Sequence, residues 1–141
     1  MKRTAAVVLA GVLCALTLCG CKTSGNPLPE GMEEEIVLTQ GREVVALLND
    51  GDYGAVYDRM RDDAQQTSSQ EDVQRYMETV LEEAGAYEKE SEAMATGQTL
   101  DSTGEEYGTA VFYCQHEKKD VLYRIAYDQS MELMGLEIKI G

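Results

Sequence analysis

Tryptophan is absent from this 141-residue sequence, which has one phenylalanine, one histidine and two prolines. A single histidine, His116, rules out any centre built on several imidazoles. Basic residues are scarce as well, 12 against 26 acidic ones, for a formal charge of −14. A surface of that sign repels nucleic-acid phosphates and anionic headgroups, so nucleic acid is excluded as a partner. Cysteine is unevenly placed: Cys14, Cys19 and Cys21 crowd the start and only Cys114 lies in the body of the chain. No apolar run long enough to span a bilayer, internal repeat, phosphate-binding glycine loop, nucleophile elbow or zinc-protease helix occurs.

What is present begins with a zoned leader. "MKRT" is a basic head, "AAVVLAGVLCALTL" is apolar, and small residues with cysteine follow. An apolar run of about 14 residues is shorter than the roughly 20 that span a bilayer, which is the pattern of a secretory signal. Its end, Leu18-Cys19-Gly20-Cys21, resembles the bacterial lipobox. That resemblance implies cleavage before Cys21 and a lipid on its thiol, so residues 1–20 are expected to be a lipoprotein signal. The chain is then expected to be extracytoplasmic, held to a bacterial membrane by the two-signal anchoring of acyl chains. Without residues 1–20 the balance becomes 10 basic to 26 acidic, or −16. Cys114 would be the lone unmodified cysteine, which excludes an internal disulfide. Residues 21–31, containing both prolines, read as the lipidated cysteine and a flexible tether; the ten after Cys21 reach at most about 35 Å.

Residues 32–141 read as one α+β domain. Val37, Gly41, Val44, Val45 and Leu48 recur at helical spacing, and Gly51 ends that helix while Asp52 caps the next. Gly41, costly in a helix interior, points to a close crossing. Tyr53, Val56, Tyr57 and Met60 share the face of a short second helix. After a polar break, Ser68-x-x-Glu71 has capping-box spacing and opens a third, carrying Val73, Tyr76, Met77, Val80, Leu81 and Ala84. The period then becomes two. "YEKESEAMATGQTL" reads as an edge strand, and "DSTGEE" as its turn. Ala110, Phe112, Cys114 and His116 share one strand face, as do Val121, Tyr123, Ile125 and Tyr127 on the next. With "EKKD" as the loop, the expected pairs are His116–Val121, Cys114–Tyr123, Phe112–Ile125 and Ala110–Tyr127. Leu136, Ile138 and Ile140 form a last strand.

The order of elements, with Asn49-Asp50-Gly51-Asp52-Tyr53, Gly85-Ala86-Tyr87 and Gly135-Leu136 at the joints, resembles the lipoprotein modules of unknown function in the nuclear transport factor two-like superfamily. The resemblance spans roughly residues 34–140 and implies N-terminal helices packed on a curved antiparallel sheet, a cystatin-like cone with a pocket. It carries over no catalytic residues, and its fold alone does not select a function.

Eight tyrosines supply most of the aromatic surface. Tyr57, Tyr76, Phe112, Cys114, His116, Tyr123 and Tyr127 are the candidate pocket residues, offering an apolar floor with phenol hydroxyls. Cys114 and His116 share a face but stand about 7 Å apart at Cα, with neither a third ligand nor an orienting residue assignable, so a buried cysteine and a histidine fraying at the hairpin end is the plainer reading. "NDGDYGAVYDRM" fails as a calcium loop, with Gly51 and Tyr53 at ligand positions and Met60 at the twelfth. No cofactor or metal is therefore expected. The sequence favours non-covalent binding of a small apolar or aromatic ligand or of an envelope protein. Its alternatives are a small isomerase- or hydrolase-like enzyme using pocket tyrosines, and a homodimer or scaffold joined through the exposed sheet face.

Overall fold

A computed structural model describes residues 25–141, so Cys21 and residues 1–24 lie outside the described region. The first helix, α1 (Glu34–Asp50), buries Val37, Gly41, Val44, Val45 and Leu48, the stripe its sequence period requires. Gly51, at φ 80°, closes it in the left-handed region, and Asp52 accepts from Ala55 N to start α2 (Tyr53–Asp58). A further helix, α3 (Asp62–Thr67), occupies the expected polar break, so the described residues form four helices where three were expected. It buries no side chain, and a helix without an apolar face leaves no period to read. In α4 (Gln70–Ala84) the box is Ser69 with Asp72, one residue later than expected. Val73, Met77, Val80 and Ala84 are its buried face, worth roughly 1.5–3 kcal/mol for each large side chain. Tyr76, expected on that face, is 43% exposed.

Four antiparallel strands follow in meander order: β1 (Tyr87–Thr99), β2 (Glu106–His116), β3 (Asp120–Tyr127) and β4 (Leu133–Ile140). The helices pack on one face of this curved sheet, giving the expected α+β architecture. Ala110, Phe112, Cys114, Val121, Tyr123, Ile125 and Ile138 meet the helices in one core. Gly41 stands where α1 crosses β2; a Cβ there would lie 2.8 Å from both Ala110 Cβ and the Phe112 ring. That glycine sets how closely α1 approaches the sheet.

The β2–β3 register differs from the expected one by two residues. Phe112 pairs with Tyr123, Cys114 with Val121 and Ala110 with Ile125. A two-residue slip keeps every side chain on its face, so alternation cannot separate the two registers. The hairpin loop decides. His116 N donates to Lys119 O, and the loop is tied to the α4–β1 joint by Glu117 N to Ala86 O and Lys118 N to Ala84 O.

Both sheet edges are partly covered. Along β4, Leu133 N donates to Arg59 O, Arg61 N to Leu133 O, and Tyr76 Oη to Ile138 O. Along β1, Asn26 N donates to Thr96 Oγ1 and Asn26 O accepts from Gly97 N. A Cβ at Gly97 would run into the Pro27 carbonyl, so this strap needs glycine beneath it. Leu28 and Met32 continue the strap against the core. The expected tether is thus seated on β1 from Asn26 onward. Beyond the strap, β1 carries Glu88, Lys89, Glu90 and Glu92, charges that discourage a strand from adding there.

Candidate functional site

One face of α1 holds Arg42, Val45, Ala46 and Asn49, spaced i, i+3, i+4 and i+7. This face looks onto the Tyr87 end of β1 and the His116 end of β2. Together with Asp50, Tyr87, Glu90, Phe112 and Cys114 it lines a cleft of about 250 Å³. Val45, Phe112 and Cys114, all buried, give it an apolar floor. At the rim Arg42 grips Glu90 through two bonds, Nε to Oε1 at 2.9 Å and Nη2 to Oε2 at 3.1 Å. The guanidinium also stands 5.8 Å from the centre of the Phe112 ring. Both partners of this ion pair reach solvent, so it contributes at most about 1 kcal/mol and can open at little cost.

Burial pushes the Cys114 thiol up to about 11; the Glu90 carboxylate adds to the rise and a hydrogen bond with Tyr87 opposes it. Such a thiol is a poor nucleophile at neutral pH. Tyr87 is likewise raised, chiefly by burial.

Behind the cleft runs a directed chain of hydrogen bonds. His116, 4% exposed, holds Nδ1 at 2.8 Å from Gly85 O. A carbonyl only accepts, so Nδ1 carries a proton, and in that tautomer Nε2 accepts from Tyr123 Oη at 2.9 Å. Tyr123 Oη in turn accepts from Asn49 Nδ2 at 3.1 Å, and the same Nδ2 donates to Val45 O at 2.9 Å. The Asn49 carbonyl oxygen is buried with no partner among the described residues. Tyr87 meets His116 edge-on, with centroids 5.6 Å apart, and Tyr123 lies nearly parallel to the imidazole.

Of the residues singled out in the sequence, Phe112 and Cys114 line this cleft. Tyr123 and His116 stand behind it, joined to it through Asn49. His116 is enclosed between Gly85, Tyr87 and Tyr123 rather than frayed into solvent, and both its ring nitrogens bond to groups other than Cys114. Tyr57 is elsewhere, its hydroxyl directed to Gln65 O at 3.4 Å in α3. Tyr76 borders a different hollow, with Met60, Val73 and Leu136. Tyr127 lies toward the other end of β3, its hydroxyl buried and without a partner among the described residues. Arg42, Asn49, Tyr87 and Glu90 went unread as site residues. For Arg42 and Asn49 the signal was the border of the α1 apolar stripe, where an arginine and an asparagine sit beside buried valines; Tyr87 and Glu90, on β1, left none.

Among the described residues no three His, Cys, Asp or Glu side chains gather to hold a metal ion, and no helix is long and apolar enough to cross a membrane. The cleft offers a concave shape, an apolar floor and an ion-paired rim.

Comparison with curated proteins gives no match. Among solved structures, the NMR structure of a protein from Ruminococcus gnavus ATCC 29149 is similar: 28% identical, with a TM-score of 0.66, over 79% of this chain and 96% of that one. Residues 41–136 match the profile of a family described as "Protein of unknown function (DUF3887)", a span that includes every cleft residue from Arg42 to Cys114. The chain belongs to that family, DUF3887.

Proposed function

We propose that this protein is a bacterial cell-envelope lipoprotein, anchored through Cys21, whose domain binds a small apolar or aromatic ligand non-covalently in the cleft between α1 and the β1–β2 end. The observation that carries the binding reading is the cleft itself: a concavity of about 250 Å³ whose floor of Val45, Phe112 and Cys114 is already formed. A hollow of that size suits a small molecule better than the face of an envelope protein. The resemblance to the nuclear transport factor two-like cone supports a pocket on this side of the sheet.

The anchor and the cleft are compatible. From Cys21 to Asn26 the chain reaches at most about 17 Å, which keeps the Gly97 end of β1 near the bilayer. Glu90 lies seven residues further back along β1, about 23 Å from Gly97, so the cleft opens at the end away from the anchor. Acidic side chains around the strap, among them Glu30, Glu33, Glu34 and Glu35, keep that end off an anionic surface.

Fatty-acid labelling and membrane fractionation test the anchor: Cys21→Ala should lose both label and membrane retention, and a mutant that keeps its label contradicts it. For the ligand, non-denaturing mass spectrometry of protein from its native membrane should find a retained small molecule. Ala46→Trp, which fills the mouth from an exposed position of α1, should release it. Retention unchanged in Ala46→Trp overturns the cleft as the site.

A further inference from the structure

Arg42 occupies, from within the chain, a place that suits a cation from outside it. Its guanidinium sits over the Phe112 ring, 5.8 Å from the centroid, inside the roughly 6 Å of a cation–π contact. From there it makes a two-pronged bond to the Glu90 carboxylate, at 2.9 and 3.1 Å. A carboxylate beside an aromatic face is a cradle for a planar cationic head. The room for such a head is the volume that the guanidinium itself fills, at the wall of a cleft of about 250 Å³.

Exposure makes Arg42 replaceable. Its side chain is 49% exposed, so the head can turn out into water without burying a charge. Its pair with Glu90 is a solvent-reached one, and trading one such ion pair for another costs little. Once Arg42 has turned away, the charges left on the lining are Glu90 and Asp50, both negative, in a chain at −14. An anion would gain Arg42 but meet both carboxylates and the field of the whole chain, so a cation is favoured. Val45, Phe112 and Cys114 form the floor for an apolar body. The volume, under the roughly 300–1,000 Å³ of drug-sized sites, holds one or two rings.

We propose that the cleft takes a small aromatic cation whose flat amidinium or guanidinium head replaces that of Arg42 between Glu90 and Phe112. This rests on the cleft being the binding site, and the test separates the two claims. Benzamidinium, benzamide and benzoate are alike in shape and differ in charge. Each is titrated into the Cys21→Ala chain, complete from residue 21 to the C-terminus and free of lipid, and amide NMR shifts of Val45, Ala46 and Cys114 are followed. Benzamidinium should bind about twofold more tightly than benzamide, because one ion pair replaces another. In Arg42→Ala, checked for a dispersed native spectrum, that preference should rise to about fivefold, since the resident competitor is gone. In Glu90→Gln it should fall to about one. Three outcomes overturn the cation rule while leaving the cleft as a site: benzoate binding tightest, no rise in Arg42→Ala, or a preference kept in Glu90→Gln. No shifts in the cleft with any of the probes, up to its solubility limit, overturns both claims.

Discussion

Tyr123 donates its hydroxyl to His116 Nε2 across 2.9 Å, and this bond links the middle of β3 to the hairpin end of β2 inside the core. The same oxygen accepts from Asn49, so one phenol joins α1, β2 and β3. Burial raises its ionisation above the ordinary tyrosine range, with the Asn49 bond opposing the rise, and the hydroxyl stays protonated where the protein works.

Tyr123→Phe should therefore behave as a structural lesion. It leaves His116 Nε2 and one Asn49 donation unpaired in a dry setting. The expected loss is about 1–3 kcal/mol, read from urea unfolding. A variant as stable as the parent would show that the chain is not satisfied through Tyr123.

Tyr127→Phe should do the opposite. Its hydroxyl is buried without a partner among the described residues, so removing the oxygen discards an unmet demand while keeping the ring. Stability should be unchanged or rise by up to about 1 kcal/mol in the same assay. A loss above about 1 kcal/mol would reveal a hydrogen bond at that oxygen.

Alkaline stability follows from Cys114. Its thiol rises from 9.0 to about 11 on folding, mainly through burial. Between those values the unfolded chain has lost the proton that the folded chain still holds. Stability from this group is complete below pH 9 and falls as pH rises toward 11, by up to tenfold in the folding constant per pH unit. Tyr123 and Tyr127, also raised by burial, extend the fall to higher pH. In Cys114→Ala the slope between pH 9 and 11 should shrink, as measured by denaturation at a series of pH values; an unchanged slope would contradict the assignment.

Much of the fold was legible because burial leaves periods behind. Val37 to Leu48, Val73 to Ala84 and the alternation from Ala110 to Tyr127 each report a face pressed on the core. The β2–β3 register was not legible, because a shift by two changes no face and the decisive bonds run from Glu117 and Lys118 to the distant α4–β1 joint. Helix α3 escaped because it sets only a half-buried Ala64 against the core, and the capping box slipped by one because Ser68-x-x-Glu71 and Ser69-x-x-Asp72 share the same spacing. The site was read in part. Phe112, Cys114, His116 and Tyr123 stood out as aromatic or titratable groups on an inner face. Asn49 did not: as part of "NDGD" it reads as a turn residue, and only the approach of α1 to β2 brings it over Tyr123.

The most direct test of the account is a crystal structure of the protein purified from its own membrane. Density for a small molecule should lie against the Phe112 ring and Cys114. A cleft closed by its own side chains in natively purified protein, with no molecule extracted from it, would contradict the binding reading.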